Sequence, residues 1–125
     1  DICCDRQLHN LDKLAGALRD VGARLRGAED VELPLDGRFL RSMQIATFAT
    51  SLGSFDCLAD PDGAPAYADM KERASLVDIG SHSVLVASID DLLSMKRAAG
   101  RLRDLQDIEA LEVIQRLQAE GQPEV

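Results

Sequence analysis

Two aspartates in short apolar segments are the residues whose type and position most suggest chemistry. Asp1 begins the run Asp1-Ile2-Cys3-Cys4, and Asp56 lies within residues 54–58, a segment of strand-forming composition. A charge in such a strand is costly unless it faces solvent, a metal or a cation. Two such carboxylates on adjacent strands would suit Mg²⁺ and a nucleotide phosphate. The alternatives are that Asp1 is a solvated chain end and that Asp56 lies on an exposed strand face.

A second group of charged residues clusters near position 100. Lys96, Arg97, Arg101 and Arg103 are followed directly by Asp104 in a chain that is acidic overall. Such a group of cations can hold phosphates. Two alternatives need no ligand: Lys96 and Arg97 could interact with the dipole at a helix end, and Asp104 could be the N-cap of the next helix.

The composition restricts the partners and the compartment. Acidic residues number 22 against 14 basic ones, and the net charge of −8 repels a nucleic-acid backbone, so any contact with nucleic acid must be local. Aromatic residues make up 3%, too few for a base-stacking platform. No apolar run reaches the roughly 18 residues of a membrane span. The odd number of cysteines, three, favours a reducing compartment, and we expect a cytoplasmic protein.

The hydrophobic pattern predicts one α+β (or α/β) domain over residues 1–125, with a mixed sheet and flanking helices. A strand at residues 1–4 is expected to precede a helix that is capped by Asn10 and ends at Gly22. In residues 23–27, apolar and basic residues alternate, which is typical of a half-exposed strand. Hairpins are expected at residues 44–58 and 75–87, with the glycine at position 53 allowing the first turn. The last two helices are expected at residues 89–99 and 104–119. The first helix should bury Leu11, Leu14, Ala15 and Leu18.

Three stretches of the chain together carry a resemblance to a known family. They are Asp1-Ile2, the hairpin Thr50-Ser51-Leu52-Gly53-Ser54-Phe55-Asp56-Cys57-Leu58, and residues 86–108, in which a strand and a helix lead into the spacing Lys96, Arg101, Asp104. These stretches resemble the motifs of nucleotidyltransferases of the DNA polymerase β superfamily, in the minimal branch that includes AbiEii-type toxins. The resemblance covers nearly the whole chain.

The resemblance implies Mg²⁺-dependent transfer of a nucleotidyl group from an NTP. Asp1 and Asp56 would coordinate Mg²⁺, Lys96 would contact the nucleotide phosphates, and Arg101 and Asp104 would support the catalytic site. The Gly-Ser turn and first aspartate of the family have no counterpart in the chain. The resemblance therefore places them upstream of residue 1, and we expect the chain as given to be catalytically impaired.

The acceptor is left open among tRNA, a protein and a small molecule, and the acidic surface disfavours tRNA. A toxin of a toxin–antitoxin pair would also bind an antitoxin protein. The alternative function is a catalytically degenerate domain that binds a nucleotide or a protein without turnover. The least specific alternative is a structural α+β domain with no nucleotide ligand.

Overall fold

A computed structural model describes residues 1–121, which divide into two compact units. The first unit is Asp1–Asp60 and the second begins at Pro61. Within the described residues, five helices, a mixed four-stranded sheet and a two-stranded sheet confirm the predicted α+β class. None of the helices in this part of the chain is both long and apolar enough to cross a membrane. The single-domain organisation stays a prediction.

The first unit is a four-stranded sheet with two helices. Its strands are β1 (Ile2–Cys3), β2 (Arg24–Leu25), β3 (Ile45–Thr50) and β4 (Gly53–Leu58). The strand order in the sheet is β1-β4-β3-β2, in which β1 is parallel to β4 and the other neighbours are antiparallel. The predicted hairpin is confirmed: β3 and β4 are joined at Ser51-Leu52, and Gly53 has a φ of 118°, which favours glycine. The two helices are α1 (Leu8–Asp20), which follows β1, and α2 (Gly37–Arg41), which follows β2.

One face of this sheet is packed against α1 and α2. Phe48 of β3 has no exposed surface and lies in the middle of the core. Arg6 donates to the backbone carbonyl of Arg41 at 2.8 Å, which satisfies an unpaired carbonyl at the end of α2. The helical period predicted for α1 is confirmed, because Leu11, Ala15 and Leu18 are buried. Leu14, which was also expected to be buried, is only partly buried against the same core.

The start of α1 differs from the sequence-based prediction. The helix begins at Leu8 and its N-cap is Gln7, so the prediction that Asn10 caps it was wrong. The Asn10 side chain instead donates to the carbonyl of Asp5 at 2.9 Å, which ties the first turn to the preceding loop. At the other end, Gly22 adopts a left-handed φ of 63° directly after the C-cap, as predicted.

The second unit contains three helices and one hairpin within its described residues. The hairpin pairs Val77 with Val84 and turns at Gly80-Ser81, within the residues 75–87 that the sequence predicts for it. All ten of its strand residues are exposed. The elements are α3 (Tyr67–Arg73), β5 (Ser75–Ile79), β6 (His82–Val86), α4 (Ile89–Ala99) and α5 (Leu102–Glu120).

Helix α4 begins and ends as its sequence predicts. The hydroxyl of Ser88 accepts from the amide of Asp91 at 3.1 Å, and Gly100 closes the helix with a φ of 63°. The Asp91 carboxylate is buried and accepts from Arg73 at 2.7 Å, which joins α3 to α4. Helix α5 starts at Leu102, and its N-cap is Arg101. The alternative of Asp104 as N-cap was therefore wrong, because Asp104 is the third residue of the helix.

A turn at Gly63 lies directly against α4. Gly63 has a φ of 81°, and its carbonyl accepts from the Ser94 hydroxyl at 2.5 Å. A Cβ added to Gly63 would overlap the backbone carbonyl of Ser94 and lie 2.8 Å from the Cβ of Ala98. Only glycine therefore allows the turn to approach the helix this closely.

We expect Gly63→Ala to reduce the free energy of unfolding by about 2–5 kcal/mol, because the strained φ and the overlap with α4 both contribute. The matched control is Gly80→Ala. Gly80 has a similar φ of 79° with open space around the added Cβ, so only the backbone strain of about 1–2 kcal/mol applies. Urea denaturation of both variants measures the difference, and equal losses would contradict a close approach at Gly63.

Candidate functional site

Three polar residues lie side by side across the four-stranded sheet. Thr47 of β3 is paired with Asp56 of β4, and the amide of Arg26 donates to the Thr47 carbonyl at 3.0 Å, which continues the pairing of β2 with β3. Successive residues of a strand point to opposite faces of the sheet. Because Phe48 and Cys57 belong to the buried core, Thr47 and Asp56 lie on the face opposite to α1 and α2.

Asp1 extends this arrangement to the edge strand. Strand β1 runs parallel to β4 and pairs Ile2 with Cys57, so the preceding residue, Asp1, lies at the position beside Asp56. Ile2 packs against the core, and by alternation Asp1 belongs to the open face, where it is exposed. The register thus brings together the two carboxylates that the sequence suggests. We call Asp1, Asp56, Thr47 and Arg26 the sheet-face row.

The strongest interaction within the sheet-face row is an ion pair. The guanidinium of Arg26 reaches past Thr47 to Oδ1 of Asp56. The Arg26 side chain is 39% exposed and that of Asp56 is 26% exposed, so water screens both charges. Ion pairs of this kind contribute about 0–1 kcal/mol. The Asp56 carboxylate is therefore held by a cation that another cation can replace at low cost.

The chemistry of the sheet-face row fits a hard divalent cation. Asp1 and Asp56 provide carboxylate oxygens and Thr47 a hydroxyl, the oxygen donors that Mg²⁺ prefers. In residues 1–121 no group of three or more His, Cys, Asp or Glu side chains is placed to hold a metal ion. Mg²⁺ commonly binds through one or two carboxylates and keeps several waters or substrate phosphates. Two carboxylates on an open face are sufficient for that type of site.

Arg26 and Thr47 were not expected from the sequence. The available signal was the alternation Ala23-Arg24-Leu25-Arg26, which puts both arginines on one face of a strand. That pattern does not reveal which strand β2 pairs with. The contact between Arg26 and Asp56 follows only from the β2–β3–β4 order, since a long side chain must reach over the intervening strand.

The second unit brings together the other residues expected from the sequence. Asp104 accepts from Nε of Arg101 at 2.7 Å and from the Arg101 backbone amide at 3.1 Å. Nζ of Lys96 lies 3.4 Å from Asp104 and 2.8 Å from Asp107. We call these four residues the Asp104 cluster. It joins the end of α4 to the first turn of α5.

The members of the Asp104 cluster differ in burial, and this difference indicates different roles for the carboxylate and for the two cations. Asp104 has no exposed surface. Its pKa is lowered from 3.8 to about 2, mainly because its carboxylate accepts a hydrogen bond from Arg101, although desolvation acts in the opposite direction. The pKa of Lys96 is raised, mainly by its hydrogen bond to Asp107. Asp104 is therefore a positioning residue that keeps two cations in place. Lys96 and Arg101 retain exposed surface of 29% and 63% on their side chains.

Further polar contacts continue along the same pair of helices. Arg97 forms an ion pair with Glu112 at 3.0 Å, and the Gln115 amide donates to Asp90 at 2.6 Å. Arg103 is exposed. The basic residues near position 100 thus do not form one patch. Arg101 and Lys96 face Asp104, whereas Arg97 pairs farther along α5.

No known protein family, curated protein or solved structure matches the chain. A functional interpretation therefore depends on the chain's own residues. The sheet-face row and the Asp104 cluster are the two arrangements that carry it.

We expect Asp104→Asn to destabilise the second unit and to change its response to acid. Because the folded-state pKa of Asp104 lies below the usual value, the ionised carboxylate stabilises the fold fully above pH 3.8, and this contribution is lost as the pH falls to about 2. The stability difference between wild type and Asp104→Asn should thus be largest near neutral pH and shrink across that interval. Urea denaturation at several pH values measures it.

The matched control is Asp107→Asn, which removes a half-exposed carboxylate from the same lysine. We expect a smaller loss of stability there, because water screens Asp107 and solvates Lys96. A larger loss in Asp107→Asn than in Asp104→Asn would contradict the role assigned to Asp104.

Proposed function

We propose that the chain is a nucleotidyltransferase-type domain that binds the triphosphate of an NTP together with Mg²⁺ at the sheet-face row. The observation that carries this function is the register that brings Asp1 and Asp56 together on an open face, with a guanidinium beside them. Carboxylates next to a replaceable cation are suited to a metal-bound phosphate. The resemblance to the DNA polymerase β superfamily, which rests on the same two aspartates and on residues 86–108, implies the same ligand.

Each member of the sheet-face row has a defined task in this function. Asp1 and Asp56 would hold Mg²⁺, which when bound reduces the charge on the attacked α-phosphate and the leaving pyrophosphate. Thr47 offers a hydroxyl oxygen between Asp56 and Arg26. Arg26 supplies a planar set of donors that matches phosphate oxygens.

For the second unit taken by itself, we propose that Lys96 and Arg101 bind phosphate groups, with Asp104 as their positioning residue. Their partly exposed side chains support this role, because a cation must remain accessible to bind an anion. The acceptor is tRNA, a protein or a small molecule, and the net charge of −8 favours the latter two. A toxin role would add an antitoxin as partner. The three free cysteines favour the cytoplasm.

A degenerate nucleotide-binding domain is the second candidate, and a specific observation favours it. Asp56 is already neutralised by Arg26, and Lys96 is already paired with Asp104 and Asp107. Charged side chains that are already paired within the protein are less available for the transfer reaction, and a domain of this kind would bind a nucleotide without turnover. Binding without transfer of label would therefore identify the degenerate domain.

The first test is the melting temperature of the chain with Mg²⁺ and each of ATP, CTP, GTP and UTP. A ligand at about one hundred times its Kd stabilises a fold by roughly 2.7 kcal/mol, which raises the melting temperature by several degrees. We expect this shift for at least one nucleotide. We expect Asp56→Asn to abolish it, because the variant loses a carboxylate proposed to hold the metal.

The matched control is Asp30→Asn, which removes the same charge from an exposed loop of the first unit. The control should keep the full shift. Absence of a shift with all four nucleotides, or an equal shift in Asp56→Asn, would rule out nucleotide binding at the sheet-face row. Incubation with the labelled nucleotide, Mg²⁺ and cell lysate then separates transfer from binding alone.

A further inference from the structure

We propose that Arg26 exchanges partners: its guanidinium holds the Asp56 carboxylate when no divalent cation is bound, and moves to phosphate oxygens when a cation takes that carboxylate. This exchange rests on the proposed function, because it concerns the same carboxylate and the same ligand. In this exchange, Arg26 competes with the metal for the Asp56 carboxylate and also binds the triphosphate.

The strand order makes Arg26 an unusual partner for Asp56. The two residues are separated by β3, a distance of about 10 Å across two strand spacings, so the arginine side chain must extend over Thr47. Arg24 lies two residues earlier on the same face, yet it donates to the carbonyl of Val31 at 3.0 Å. Of the two arginines, only Arg26 is directed to the carboxylate.

The energetics allow the exchange in both directions. Within residues 1–121, Asp56 forms an ion pair with Arg26, so its carboxylate keeps a counter-charge in the absence of metal. The pair is partly exposed and weak, and a divalent cation with two carboxylate ligands can displace it. A displaced guanidinium then lies on the same open face as the metal. There it can donate to the anion that completes the metal's coordination.

The first measurement is the binding of Mn²⁺, used in place of Mg²⁺ because its electron paramagnetic resonance signal reports the free ion. We expect Arg26→Gln to bind Mn²⁺ about two- to fivefold more tightly than wild type, since the competing guanidinium is gone. The control is Arg24→Gln. It removes the same charge from the same face and should gain clearly less affinity.

The second measurement is the binding of inorganic tripolyphosphate in the presence of saturating Mn²⁺, followed by calorimetry. This probe carries the triphosphate charges without a base. We expect Arg26→Gln to bind it about tenfold more weakly than wild type, because charge-assisted hydrogen bonds to phosphate are lost. Arg24→Gln should lose clearly less. The exchange thus predicts opposite changes for the two ligands in one variant.

The outcomes separate this exchange from the function on which it rests. If Asp56→Asn binds Mn²⁺ as well as wild type, the metal site and the exchange are both wrong. If Mn²⁺ binding requires Asp56 but Arg26→Gln matches Arg24→Gln with either ligand, the exchange alone is wrong and the metal site stands. Circular dichroism of each variant checks that the fold is retained, which is expected for polar substitutions at exposed or partly exposed positions.

Discussion

The first unit is organised by the packing of its two helices on one face of its sheet. Helices α1 and α2 pack on that face, and the two-residue period of a strand then directs alternate side chains into or away from the core. Phe48 and Cys57 are buried for this reason, while their neighbours Thr47 and Asp56 are not. The same alternation that builds the core therefore also puts Thr47 and Asp56 on the opposite face, next to the apolar pair of Ile45 and Leu58. The sheet-face row is the direct result of one-sided packing.

Two aspartates of the chain show how burial decides what an ion pair can do. Asp56 shares its charge with Arg26 in partial contact with water, so the pair contributes little and can be broken. Asp104 has no exposed surface and is held by two cations, so losing one of them would leave a buried charge with less compensation. The first arrangement is suited to ligand exchange. The second is suited to fixing the junction of two helices.

Local features of the fold could be predicted from sequence, and features that depend on distant pairing could not. The hairpin at Gly53 and the helix end at Gly100 follow from residues close together in the chain. The N-cap of α1 was missed because several polar residues precede its apolar face, and only the backbone geometry selects Gln7. Asp56 was identified by its charge in an apolar strand. Its partner Arg26 was missed because that contact depends on the order of three strands, which no local pattern encodes.

The β5–β6 hairpin combines full exposure with an apolar composition, and this has a consequence for the behaviour of the protein in concentrated solution. Each of its two strands has one edge whose backbone amides and carbonyls have no strand partner within the described residues. Such edges can pair with another chain, and valines and leucines favour that addition. Asp78 is the only acidic residue on either strand. The net charge of −8 opposes such pairing, because it keeps copies of the chain apart at low ionic strength and less so as salt screens it.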